Sequence, residues 1–113
     1  MSVYFVGWAG AKSVSPVKIG HSWGALGGRI QSMQVASPFE LVVIREVPTN
    51  DDLLVEAILH EHFRDRHIRG EWFQLSHYEV NECDIPSVVS SADVSRLLPY
   101  GHRPRTKLLV AVA

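Results

Sequence analysis

The sequence predicts an α+β fold: a small, mostly antiparallel three-stranded sheet flanked by helices in the order ββαβα, followed by a C-terminal extension. Two observations carry this. The chain opens with two segments rich in β-branched and aromatic residues, VYFVGWA and PVKIG, separated by the turn-forming GAKSVS, which is the pattern of a hairpin. Further on, apolar residues recur at helical spacing on either side of a third strand-like run, ELVVIREV at residues 40–47. A hairpin plus a returning strand favours antiparallel pairing with helices packed on the sheet.

Each element has its own warrant. In the first strand Tyr4, Val6 and Trp8 share one face and Val3 and Phe5 the other. The helix after the hairpin carries Leu26, Ile30 and Met33 at i, i+4 and i+7, although Gly24, Gly27 and Gly28 weaken its first turn. Pro48 closes the third strand. Thr49 or Asn50 caps the second helix, Asp51 and Asp52 suit the positive end of its dipole, and it runs to about residue 66. Leu54, Val55, Ile58, Leu59 and Phe63 fill one apolar arc that includes His62, and Glu56 and His60 lie at its rim, where a side chain can rest against a sheet and still reach a cleft. Gly70 then breaks the chain, WFQL forms a short strand, residues 87–98 form a last helix, and the terminal LLVAVA is a strand or a partner-binding tail. Trp72 and Phe73 read as core, and Glu71 as an anchor for Arg66 or Arg69.

Composition bounds the function. A chain of 113 residues is one domain with a real core. Its net charge of -1 argues against coating nucleic acid by bulk electrostatics, so any phosphate contact is local. Arg64, Arg66, His67 and Arg69 form one basic cluster, and His102, Arg103, Arg105 and Lys107 another. The single cysteine, Cys83, forms no internal disulfide, no apolar run has membrane-spanning length, and MSVYFVGWAG lacks the features of a signal peptide. The expectation is an intracellular, cytoplasmic protein. HEHFRDRH is not a zinc-hydrolase helix, because Arg64 stands where HExxH needs its second histidine.

Five ordered pieces remain: VYFVG, VKIG, Arg29 nine residues after Gly20, EAILHEHF, and GEWF at residues 70–73. Together, over about residues 2–76, they resemble the GIY-YIG endonuclease superfamily in the branch common in phages and mobile elements. The resemblance implies a nuclease module at residues 1–76 and an extension at 77–113, packed on the same domain or used to contact a protein partner or a second copy. If phage-encoded, the protein would act in the host cytoplasm. Tyr4 falls on the tyrosine of the first motif, Gly20 on the glycine of the second, Arg29 on the arginine and Glu56 on the metal-binding glutamate. Where the second motif normally has tyrosine this chain has Lys18. Some family members carry lysine there with a histidine three residues on, as His21 is here.

The implied reaction is hydrolysis of DNA phosphodiesters by an activated water, with a divalent metal, Mg2+ first and Mn2+ as the alternative. Such a reaction needs a base, neutralisation of charge on the phosphoryl oxygens, and help for the leaving oxygen. Tyr4 is the candidate base, and Lys18 on the adjacent strand supplies the ammonium that favours its phenolate. Arg29 holds a phosphate oxygen with a planar fork, Glu56 is a hard oxygen ligand for the metal, and His21 orients water or phosphate. Gly20 and Gly28 let the scissile phosphate approach closely. Arg66 and Arg69 are further substrate contacts. His60 is either a second metal ligand, a phosphate contact, or a packed or surface histidine. The rival reading is a catalytically inactive module of the same fold that binds nucleic acid or protein, for instance a phage factor interfering with host defence. It needs no convergence of Tyr4, Arg29 and Glu56.

Overall fold

The computed structural model describes residues 1–24 and 26–85. In chain order the elements are β1 (Ser2–Trp8), β2 (Ser15–Ser22), α1 (Gly27–Val35), β3 (Leu41–Pro48), α2 (Asp52–His62), a 3-10 turn at Arg64–Arg66, β4 (His67–Arg69), β5 (Trp72–Leu75) and α3 (His77–Glu82). The fold is α+β, but its sheet has five strands instead of three, all antiparallel, in the spatial order β3-β1-β2-β5-β4. The helix expected at 87–98, the terminal LLVAVA and the basic cluster from His102 to Lys107 lie outside the described residues. Among the described residues no helix is long and apolar enough to cross a membrane.

Of the two strands beyond the expected three-stranded sheet, β5 is the short strand expected at WFQL, and β4 follows from the end of α2. The helix stops at His62, short of residue 66, with Phe63 as its C-cap donating to Leu59 O. Arg64, Asp65 and Arg66 are exposed and offer nothing to the buried stripe, so nothing holds a further turn against the sheet. Gly70, at φ 56°, then makes the tight reversal that pairs His67–Arg69 with the WFQL strand. At the other end the cap is Asp51, whose carboxylate accepts from Leu54 N at 3.1 Å, and not Thr49 or Asn50.

Alternation along β1 divides the core as its sequence predicts. Val3 and Phe5 join Val17, Ile19, Phe73 and Leu75 beneath α2, which contributes Leu54, Val55, Ile58, Leu59 and Phe63. Tyr4 and Val6 face the other way with Leu41, and α1 covers them with Leu26, Ile30 and Met33. A bulge between Phe5 and Val6 lets β3 keep apolar residues on both faces. A capping box starts α3, where Ser76 Oγ accepts from Glu79 N and Glu79 Oε1 accepts from Ser76 N. Val80 and Ile85 then enter the α2-side core. His62 is exposed, edge-on to Phe63 at 4.7 Å, because the arc that buries Leu59 and Phe63 turns it to solvent.

Candidate active site

The β1–β2 register positions the first half of the site. Tyr4 stands opposite Gly20 and Val6 opposite Lys18, so Tyr4 and Lys18 emerge on the α1 side of the sheet. Tyr4 is 1% exposed. Its ring lies on Gly20: a Cβ there would sit 2.5 Å from the Tyr4 hydroxyl and 2.6 Å from Cζ. Glycine is therefore required at position 20 for the tyrosine to lie flat, and the space its missing side chain leaves is filled by protein instead of being held open for a phosphate. Gly28 differs, because a Cβ would meet nothing within 4 Å. Together with Tyr4, Lys18, Arg29, Ser32 and Met33 it lines a cavity of about 320 Å³.

The second half comes from the opposite face. His21 pairs with Val3 in register and so emerges on the α2 side, where its Nδ1–H donates to Glu56 Oε2. His60, one helical turn beyond, puts Nε2 3.6 Å from Glu56 Oε1 and 3.0 Å from Ile19 O, with its ring packed on Phe73 at 4.9 Å. A carbonyl oxygen only accepts, so Nε2 carries the proton and donates to it. Burial raises the Glu56 carboxyl above the ordinary carboxylate range. The hydrogen bond from His21 opposes this, the charge of Glu71 adds to it, and the charges of His21 and His60 lower it.

The halves meet where β2 outruns its neighbour. Strand β5 begins at Trp72, opposite Lys18, and the last backbone bond across this edge runs from Ile19 N to Glu71 O at 2.9 Å. Beyond it the carbonyls of Ile19 and His21 have no strand partner, and side chains take them. His60 donates to the first, and Arg29 Nη1 donates to the second at 3.1 Å. The open end of β2 is thereby clasped from the α2 side by His60 and from the α1 side by Arg29.

Glu71, expected only as an anchor for Arg66 or Arg69, stands at the site instead. It does not anchor Arg66, which pairs with Glu79 at 2.8 Å and reaches Gln74 O at 3.3 Å. Its Oε2 lies 3.1 Å from where Gly20 would carry a Cβ, on the side of the Tyr4 hydroxyl. A ligand atom from each of Glu56, His60 and Glu71 falls within 4.8 Å of the others. The available signal was positional: a carboxylate directly after a hairpin glycine, entering the strand that pairs with the one carrying Lys18 and Gly20. Arg69 is exposed on β4 at the same hairpin, opposite Trp72. The structure thus gathers Tyr4, Lys18, Gly28 and Arg29 in one cavity, His21, Glu56 and His60 on the far side of β2, and leaves Arg66 engaged with Glu79.

No curated protein and no solved structure gives a significant match to the chain. The profile of the T5orf172 domain matches residues 1–84, well over half of the sequence and the whole of the site just described. The chain belongs to the T5orf172 family, a phage-associated domain related to GIY-YIG/HNH-like nucleases.

Proposed function

We propose that this chain is a metal-dependent endonuclease of GIY-YIG type that hydrolyses phosphodiester bonds in DNA. The observation that carries the reading is the convergence of Tyr4, Gly20, Arg29 and Glu56 on the open end of β2 from separate elements. An inactive binding module would not need it. The donor set supports a hard divalent cation, Mg2+ or Mn2+, since Glu56 and Glu71 offer carboxylate oxygens at one place. Glu56 would hold that ion, which when bound supplies Lewis-acid stabilisation of charge on the phosphoryl oxygens.

The chain's own groups divide the remaining tasks. Arg29, tethered through Nη1 to His21 O, has further N–H groups for a phosphate oxygen at the cavity mouth. Tyr4 takes the proton of the attacking water as a P–O bond forms, the P–O3′ bond breaks, and the 3′ oxygen leaves with a proton from solvent. Tyr4 accepts the water proton as the phenolate, and Lys18, in the same cavity, stabilises that negative charge until the proton neutralises it. His21 holds the Glu56 carboxylate in place. Arg69 and Gly28 border the approach of the DNA.

Tyr4→Phe keeps the ring that packs on Gly20 and removes only the hydroxyl. Its single-turnover rate on a labelled duplex is expected to fall about 10²–10⁴-fold, the usual worth of a positioned acid or base, with DNA affinity unchanged. Lys18→Met is expected to lower the rate in the same direction. Wild-type rates in Tyr4→Phe would remove it as the base.

A further inference from the structure

Glu71 offers a carboxylate beside Glu56, and its placement is defined both by its backbone and by the approach of its side chain to Gly20. We propose that Glu71 is the second carboxylate ligand of the divalent cation, closing a two-oxygen clamp with Glu56 across the open end of β2. This inference rests on the nuclease reading of the site.

Its backbone is fixed, because Glu71 O accepts the last cross-strand hydrogen bond, from Ile19 N at 2.9 Å. Its side chain returns over Gly20, with Oε2 3.1 Å from the point a Cβ would occupy there and the Tyr4 hydroxyl 2.5 Å from the same point. A ligand from this position therefore stands beside the group that activates water. Its ligand atom also lies within 4.8 Å of those of Glu56 and His60. Oxygen ligands on opposite sides of one Mg2+ ion stand roughly 4 Å apart, so a small side-chain adjustment closes the clamp. Two carboxylates this close oppose one another's charge, and a divalent ion relieves that opposition.

His60 completes the arrangement without ligating. Its Nε2 proton is directed at Ile19 O, 3.0 Å away, so this nitrogen, 3.6 Å from Glu56 Oε1, steadies the carboxylate and has no lone pair to offer the ion. The resulting donor set is all oxygen, which suits Mg2+ and Mn2+ better than Zn2+.

The test is Mn2+ binding by the full chain, followed by the loss of the free-ion EPR signal at neutral pH. Wild type, Glu71→Gln and Glu56→Gln are compared, with thermal melts of each in EDTA. Wild type is expected to bind Mn2+, and Glu71→Gln to bind it at least about tenfold more weakly, as loss of a ligand or its direct support does. In EDTA the melting temperature of Glu71→Gln should equal or exceed that of wild type, because removing one of two opposed charges relieves the native state. Undiminished Mn2+ binding by Glu71→Gln with loss in Glu56→Gln would overturn the clamp and leave the nuclease reading standing. Weakened binding together with a lower melting temperature in EDTA would also overturn it, by making Glu71 structural. A wild-type chain that binds no Mn2+ would remove both the clamp and the metal-dependent reading.

Discussion

Glu56→Ala is expected to abolish metal-dependent cleavage while leaving the domain folded. The loss should be large, because charge stabilisation by a catalytic metal is worth several kcal/mol and each 1.4 kcal/mol is about tenfold, so a fall of at least about 10³-fold is predicted. The fold should survive for a separate reason. Glu56 sits at the rim of α2, beside the buried Val55 and Ala57, and its removal uncovers none of the apolar arc formed by Leu54, Ile58 and Leu59. The same change deletes a carboxylate that burial and Glu71 both disfavour, and it deprives His21 of its acceptor. These effects oppose each other, and the urea midpoint should move by no more than about 1 kcal/mol in free energy. Cleavage at the wild-type rate by a folded Glu56→Ala protein would take Glu56 out of the site.

Gly20→Ala is expected to destabilise the fold, and the sign of the effect is the informative part. Alanine in the interior of a strand normally stabilises relative to glycine by about 0.5–1 kcal/mol. Here the added methyl would meet the Tyr4 hydroxyl at 2.5 Å and Cζ at 2.6 Å. The ring cannot swing away, because Tyr4 is 1% exposed and packed with Val6, Leu26 and Leu41. Overpacking of this kind costs roughly 1–3 kcal/mol. Equilibrium denaturation should therefore show destabilisation, and the cost should vanish when Gly20→Ala is made in a Tyr4→Ala background, giving a clear coupling energy in the double-mutant cycle. Cleavage should fall with it, since the same methyl displaces the candidate base. A neutral or stabilising Gly20→Ala would mean that the tyrosine does not lie on this glycine in solution.

Much of the architecture is legible from local pattern. Alternation along VYFVGW separates Val3 and Phe5 from Tyr4 and Val6, and the two cores observed divide on that line. The spacing of Leu26, Ile30 and Met33 finds the helix that covers Tyr4. What stayed hidden depends on partners distant in sequence. His67–Arg69 is too short to show a period of two and becomes a strand only because Gly70 folds it onto Trp72. Asp51, Thr49 and Asn50 are all good caps, and only the backbone geometry selects Asp51.

The candidate site divides in the same way. Tyr4, Lys18, Arg29 and Glu56 stand in recognisable motifs, and a period of two along β2 puts His21 on the face opposite Lys18, but that this face is the one covered by α2 follows only from the register against β1 and the packing of the helices. The place of Glu71 at the site is hard to read locally for a further reason. Its relation to Glu56 and Tyr4 exists only where β5 stops short and leaves the end of β2 open. Arg66 reads as a substrate contact or a partner of Glu71, whereas the chain reversal after α2 brings it to Glu79.

The most direct test of the central claim is incubation of the wild-type protein with supercoiled plasmid in Mg2+, in Mn2+ and in EDTA, with the conversion to nicked and linear forms followed over time. Conversion is expected in the presence of either ion and none in EDTA. A folded protein that leaves the plasmid supercoiled under all three conditions, or that nicks it equally in EDTA, would contradict the assignment of this site as a metal-dependent nuclease.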